Sequence, residues 1–395
     1  MSDYHADPAE LRDGMVTQLQ AMEELAPWKE AVAPWWPVLA AVPRHQFIPD
    51  TIWIENPAPW PTLVPVHRGE DPDRWLELAY GHDDPVITQV DDGQPSGPGL
   101  AGAMQTSSAS APDIVAIMLA ALDAHPGERV CEIGTGTGYN AALLAHRLGP
   151  EQVTSIEVDP AVAVQARRAL SDTGYRKICT ITGDGALGYP PGSPFDRIIA
   201  TAAVHRIPYP WVTQTRPGGR ILLPWANSYT GMLVSLTVDE HATAHGGIVG
   251  DSSFMWLREQ RVRRGPVRDV VGQNEDRAET ELTELHPSWV STGNQGARFA
   301  IGQRVPHCQW RYWPYDESDG AGVFWLLDFQ SRSWAKLTHA TRDASEDEFP
   351  VAQYGPRRLW NEVETARQWW VAQGRPGVER WRFTVTPEMQ QITLH

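Results

Sequence analysis

Cysteine is scarce: Cys131, Cys179 and Cys308 are the only three in 395 residues. They stand far apart and in no metal-ligand spacing, which excludes a disulfide-stapled scaffold, and no metal site is expected. Cys131 lies in an apolar run and reads as a small buried hydrophobe. Such usage fits a reducing cytoplasm. Positive charge is short as well, with 33 Lys and Arg against 49 Asp and Glu and a net charge of −16. Nucleic-acid binding needs a basic face that displaces counterions, so no nucleic-acid partner is expected. The local cluster Arg258, Arg261, Arg263 and Arg264 reads instead as a solvated face or a domain junction. No run approaches the roughly 18 apolar residues of a membrane span, so no membrane is expected. The first residues, Met1 to Asp7, are acidic and lack the basic start and apolar core of a signal peptide. Internal repeats, low-complexity segments and a GKS or GKT phosphate loop are also missing.

What is abundant is proline, with 33 residues, and tryptophan, with 18. Nine tryptophans fall up to Trp256 and nine from Trp289 onward, so both halves carry bulky aromatics to bury. The chain exceeds the roughly 100–200 residues of one domain. Two domains are expected, residues 1–265 and an accessory α+β module over 266–395.

Asp7-Pro8-Ala9-Glu10 offers a cap, a first-turn proline and a capping box. Leu11, Met15, Leu19 and Met22 then recur at helical spacing, which predicts a helix to about Leu25. Pro57 to Pro98, rich in Pro, Asp and Gly, reads as irregular loops and short strands. Pro112 to Leu122 returns to helix. From Arg129 strands and helices alternate: strands near 129–133, 153–158, 178–182 and 195–201, helices near 140–148 and 161–171. That alternation implies a parallel sheet with helices on both faces, an α/β fold. A strand over 220–224 and a hairpin of 231–238 with 248–257 close the domain. Beyond Gly265 a polar, partly helical or linker-like stretch precedes short aromatic strands and one helix near 359–372.

Glu132-Ile133-Gly134-Thr135-Gly136-Thr137-Gly138-Tyr139 sits where a strand turns into a helix. Glycines there let the backbone turn sharply and approach a ligand closely. The spacing differs from the GxGxxG dinucleotide fingerprint. The next strand ends in Ile156-Glu157-Val158-Asp159, and an acid there can accept hydrogen bonds from two ribose hydroxyls. The third leads to Gly183-Asp184-Gly185, where a short acid can face an adenine amino group. Each acid alone reads as a solvated strand end; three in register on consecutive strands point to a nucleoside. S-adenosylmethionine has ribose and adenine but no phosphate, and its sulfonium suits an acidic rim. NAD stays open as the alternative on these residues.

The chain also resembles the protein-L-isoaspartate O-methyltransferase family over roughly Val42 to Leu257. The matching stretches occur in family order: Val42-Pro43-Arg44-His45-Gln46-Phe47-Ile48-Pro49, Ser108-Ala109-Ser110-Ala111-Pro112, Glu132 to Tyr139, Gly183-Asp184-Gly185, Pro194 to Ile199, Thr201-Ala202-Ala203, Ile207-Pro208 and Pro217-Gly218-Gly219-Arg220. The resemblance implies a class I, Rossmann-like methyltransferase fold. It implies S-adenosylmethionine as cofactor, leaving as S-adenosylhomocysteine, with contacts from Glu132, Gly134, Thr135, Gly136, Gly138, Glu157, Val158, Asp184, Gly185 and Thr201. Ser110, with Ser108 nearby, should lie beside the acceptor carboxylate; the alternative for Ser110 is a helix cap before Pro112. Arg44, His45 and His205 are candidates for the substrate cleft. A carboxylate is already ionised at pH 7, so catalysis reduces to holding oxygen, methyl carbon and sulfur in line.

Three departures from the family pattern stand out: a Pro/Trp-rich insertion over about Asp50 to Gln94, the extra residues 266–395, and Ser108-Ala109-Ser110 in place of Thr-Ile-Ser. The larger architecture is similar to actinobacterial relatives associated with lanthipeptides and graspetides. That similarity implies methylation of one aspartate in a ribosomally made peptide, after which the backbone amide displaces methanol and leaves a succinimide (aspartimide). The alternative is repair methylation of isoaspartyl residues in damaged proteins, and a further one a non-catalytic binding protein on the same scaffold. The partner is a protein or peptide carrying an aspartyl or isoaspartyl carboxylate.

Overall fold

The computed structural model describes residues 6–56, 62–95, 97–291, 293–316, 321–339 and 348–395. The first five residues, read above for signal character, and Trp60 of the insertion lie outside the described residues. A helix over Pro8–Ala21 opens the chain, with the Asp7 carboxylate accepting the Ala9 N–H at 2.8 Å. It buries Met15, Val16 and Leu19 and stops short of Leu25, which falls in the tighter turn Glu23–Trp28.

The insertion is more ordered than its composition suggests. Strands β1 (Thr51–Glu55), β2 (Leu63–His67), β3 (Val86–Val90) and β4 (Gln105–Ala109) form an antiparallel sheet in the order β2-β1-β3-β4. Between β2 and β3 runs a helix, Pro72–Ala79, in a stretch whose composition points to loops and short strands. Its cue was in the sequence: Asp71 caps it and Pro72 takes the first helical position, the arrangement recognised at Asp7-Pro8. Trp75 on this helix is fully buried.

The alternating region folds as expected, except that the second strand of the closing hairpin runs over Ala244–Asp251 instead of 248–257. Its strands are β5 (Val130–Ile133), β6 (Val153–Glu157), β7 (Cys179–Thr182), β8 (Phe195–Ala200), β9 (Thr215–Ala226), β10 (Gly231–Val238) and β11 (Ala244–Asp251). Every residue of β5 and β6 is buried, the mark of parallel strands covered by helices on both faces. The parallel part runs β9-β8-β5-β6-β7, and β10 and β11 continue it antiparallel. The chain moves outward from β5 to β6 and β7, then returns to the other side of β5 as β8. The carboxyl ends of β5 and β8 therefore flank the crevice where such sheets bind ligands.

Beyond Gly265, β12 (Glu279–Thr283), β13 (Gln309–Asp316), β14 (Ala321–Asp328), β15 (Ser333–His339) and β16 (Phe349–Tyr354) make a second antiparallel sheet, ordered β12-β16-β15-β14-β13. The helices Gln295–Arg304 and Leu359–Ala372 accompany it. The last strands, β17 (Trp381–Val385) and β18 (Gln390–Leu394), extend the long sheet past β11, pairing Ala244 with Val385. Sheet pairing thus runs across the 265/266 boundary. Phe299, fully buried, seals the join, its ring 5.6 Å from Trp225 and 5.0 Å from Trp381. Among the described residues no helix is long and apolar enough to cross a membrane.

Because this aromatic cluster is shared, Phe299→Ala should cost about 3–5 kcal/mol. Chemical denaturation followed by far-UV circular dichroism and tryptophan fluorescence should show one coincident transition at lower denaturant. Two separated transitions in the parent protein would contradict a common core.

Candidate active site

The loop after β5 turns on three glycines with positive φ: Gly134 (+98°), Gly136 (+53°) and Gly138 (+88°). Space is as restrictive as conformation. A Cβ on Gly134 would stand 2.6 Å from Thr201 Oγ1, at the end of β8. Thr201 Oγ1 in turn donates to the Gly134 carbonyl at 2.7 Å, tying the ends of β5 and β8 together.

Two glutamates hold the loop. Glu132 is fully buried beneath it, accepting from Asn140 Nδ2 at 2.7 Å and from the Ser155 hydroxyl, which also meets Thr135 Oγ1 at 2.6 Å. Burial lifts its carboxyl to about 7 against the opposing pull of these donors. Glu157, at the end of β6, accepts the Gly136 N–H at 2.9 Å and the Asp159 N–H at 3.0 Å. Burial raises its pKa too, and the two backbone donors counter it. Asp159 caps the helix Pro160–Asp172 and meets Arg258 at 3.1 Å. Burial opposes ionisation there, but Arg258 and the helix N–H groups outweigh it and hold Asp159 below the ordinary range.

Arg258 also pairs with Asp92 at 3.3 Å, and Arg261 reaches Asp92 at 2.7 Å. The turn after β3 is thereby pinned to the glycine-loop side, so Arg258 and Arg261 of the basic cluster lie at a junction between insertion and core.

Gly134, Thr135, Gly136, Glu157, Val158, Gly185 and Thr201 line one cavity of about 890 Å³, together with Ser108 and Ser110. The Ser108 carbonyl lies 3.4 Å from where a Gly136 Cβ would be, so β4 passes over the loop. Ser110 does not cap the helix Pro112–Leu122; Ala111 occupies that position without a side-chain bond. Both hydroxyls are half-buried at the cavity. Glu132, Gly138 and Asp184 stand outside the lining: Gly138 packs toward Leu170, and Asp184 accepts the Ala186 N–H at 2.9 Å.

None of the three candidate cleft residues lines the cavity. Arg44 is fully buried, donating to the Ala79 carbonyl at 2.8 Å and the Ala109 carbonyl at 3.3 Å above the Tyr139 ring. It fastens the residue between the two serines rather than facing substrate. His45 meets the Tyr80 hydroxyl at 2.6 Å away from the cavity, and burial with Arg68 and Arg12 nearby lowers its pKa. His205 lies outside the lining, its ring 6.4 Å from Trp256, which does line it. The segments 226–231 and 251–258, which also wall the cavity, carry no local signal and come together only through β9, β10 and β11.

Glu132 makes a pH prediction. A carboxyl that titrates near 7 when folded, against an ordinary 4.5, stabilises the fold fully below 4.5 and loses that contribution as pH rises to about 7. Over that window the parent should lose stability relative to Glu132→Gln, with a slope of at most ~1.4 kcal/mol per pH unit. Urea midpoints between pH 4.5 and 7.5 measure it, and parallel profiles would refute the burial argument.

Comparison with known proteins follows the same region. Residues 99–259 match the family model described as protein-L-isoaspartate(D-aspartate) O-methyltransferase. The chain is 44% identical over 124 residues to the protein-L-isoaspartate O-methyltransferase of Ignicoccus hospitalis, covering 31% of this chain and 58% of that one. It is 42% identical over 154 residues to protein-L-isoaspartate O-methyltransferase 1 of Archaeoglobus fulgidus, covering 39% and 64%. The chain thus spans little more than half of these curated relatives. The match to the Methanopyrus kandleri protein-L-isoaspartate O-methyltransferase is longer, 31% identical over 228 residues, 54% of this chain and 82% of that one. A solved structure of a protein-L-isoaspartate O-methyltransferase superposes with a TM-score of 0.51 at 19% identity, covering 97% of this chain and 99% of that one, and shares the fold. On this sequence match and this arrangement of strands and glycine loop, the chain belongs to the protein-L-isoaspartate O-methyltransferase family.

Proposed function

We propose that the protein is an S-adenosylmethionine-dependent carboxyl O-methyltransferase acting on isoaspartyl residues of proteins or peptides. One observation carries the reading: the glycine loop with Glu157 and the serine pair Ser108 and Ser110 share a single cavity at the switch between β5 and β8. The residues fit the cofactor. Glu157 is a buried carboxylate with no cationic side chain bonded to it among the described residues, so it has lone pairs for ribose hydroxyls. The Gly136 N–H is already taken by that carboxylate, which would repel a pyrophosphate and disfavours NAD. Gly134, Gly136, Val158 and Gly185 would border the cofactor, while Glu132 positions the loop from behind.

S-adenosylmethionine, when bound, supplies a methyl group activated on a positively charged sulfur. The chain's task is then orientation. The Ser110 and Ser108 hydroxyls can donate to one acceptor oxygen and leave the other aimed at the loop. Arg44 holds Ala109 from behind and so fixes the spacing of the two hydroxyls. Hydroxyl donors orient a carboxylate without protonating it, which preserves its nucleophilicity.

The relatives named above are isoaspartate enzymes, which favours isoaspartyl methylation over the narrower reading of aspartyl methylation and succinimide formation in a ribosomal peptide. Insertion and C-terminal segments both wall the acceptor cavity, and this enlargement is what supports the narrower reading. Incubation with S-adenosylmethionine and two peptides, isoaspartyl and normal aspartyl, separates them by intact mass. A methyl gain on the isoaspartyl peptide alone is expected, with kcat reduced about tenfold or more in Ser110→Ala at unchanged cofactor affinity. Methylation of the aspartyl peptide alone, followed by loss of one water from its starting mass, would replace the repair reading with the tailoring one. No transfer to either would overturn the activity.

A further inference from the structure

Five arginines line the cavity: Arg258, Arg261, Arg264, Arg298 and Arg311. Three are neutralised, Arg258 and Arg261 as described and Arg298 by Asp251 at 3.1 Å. The other two have no carboxylate partner among the described residues. Among the described residues Arg311 reaches only the Trp310 carbonyl, at 2.8 Å. The fold sets them close. Gln309 Nε2 donates to the Arg263 carbonyl at 2.7 Å, fastening the segment that carries Arg264 to the start of β13. Arg311 follows Gln309 by two residues on that strand, hence on the same face.

Arg311 is half-buried whereas Arg264 is exposed where it lines the cavity; partial loss of surrounding water presses both guanidinium pKa values down, and the charge of Arg264 adds to the effect on Arg311. Both still remain ionised, since arginine does not lose its proton in proteins. Two like charges in one concavity without a counter-ion cost free energy that a bound anion relieves. Planar guanidinium forks match the two oxygens of a carboxylate. The local charge also opposes the net charge of the whole chain, −16, so it concentrates attraction at one place on an otherwise repelling surface.

We propose that Arg264 and Arg311 form a second carboxylate-binding subsite in the acceptor cleft, which grips an acidic group of the peptide near the residue being methylated. This rests on the methyltransferase reading above and deepens it: the preferred substrate is an acidic peptide, not any isoaspartyl strand. The carboxylate comes from a flanking Asp or Glu side chain or from the peptide's C-terminus. Arg311 belongs to the accessory module, so that module contributes directly to substrate choice.

The test uses the full-length protein with S-adenosylhomocysteine and fluorescein-labelled isoaspartyl nonapeptides, flanked by Glu, Gln or Lys, each with a free or amidated C-terminus. Fluorescence anisotropy should give binding about tenfold or more tighter for Glu than for Gln. That preference should vanish in R264Q/R311Q, and R264E/R311E should favour the Lys peptide. A preference following the free C-terminus instead of Glu would identify the terminal carboxylate as the ligand. Equal affinities for all peptides, no peptide binding, or a Glu preference that survives in R264Q/R311Q would overturn the subsite. Unchanged S-adenosylhomocysteine affinity in both variants reports intact folding. Methyl transfer followed in parallel keeps the two readings apart. Charge-independent transfer to every peptide removes the subsite alone, whereas charge-dependent binding with no transfer removes the activity alone.

Discussion

A single buried carboxylate organises this molecule. Glu157 accepts the N–H of Gly136 from one loop and of Asp159 from another, and so sets the distance between the ends of β5 and β6. A carboxylate withdrawn from water is costly unless donors surround it. Two backbone N–H groups meet part of that need, which leaves lone pairs free for the hydroxyl-bearing ligand proposed above. The positive-φ glycines, the Thr201 tie to β8 and the buried Glu132 beneath the loop all serve the same geometry.

The additions to the family core are built outward from that point. The turn after β3 is held over the glycine-loop side by Asp92 with Arg258 and Arg261, and Arg258 bonds Asp159 in the same step. The chain beyond Gly265 is fixed from below, where Phe299 and Phe383 pack on Trp225 of β9 and Trp381 packs on Phe299. Both additions reach the acceptor cavity, and both bring polar or charged side chains to it. The result is one cavity walled by the glycine loop and strand ends of the alternating core together with residues from the insertion and from the chain beyond Gly265.

The core was legible because its signals are local. The strand and helix alternation around β5 and β6, the glycine loop, and the cap of Asp7 before Pro8 each fit within a few dozen residues. The helix Leu359–Ala372 stands where the sequence places one. The helix Pro72–Ala79 is masked by surrounding prolines and glycines that favour loops, although Asp71-Pro72 marks its start. Pairing of β17 with β11 had no sequence signature, since antiparallel edge pairing depends on where the chain returns. Arg44 misled for a related reason: it stands in a family-like segment, yet its guanidinium serves two backbone carbonyls inside the core. The opposed charges of Asp92 and Arg261, 169 residues apart, become neighbours only in the fold.

Calorimetric titration of the pure protein with S-adenosylhomocysteine, and separately with NAD, probes the Glu157 site most directly. Binding of S-adenosylhomocysteine with heat release, weakened about tenfold or more in Glu157→Gln, and no binding of NAD is the expected result. Equal binding of S-adenosylhomocysteine by Glu157→Gln, or heat released on adding NAD alone, would contradict the assignment of this crevice to a phosphate-free nucleoside.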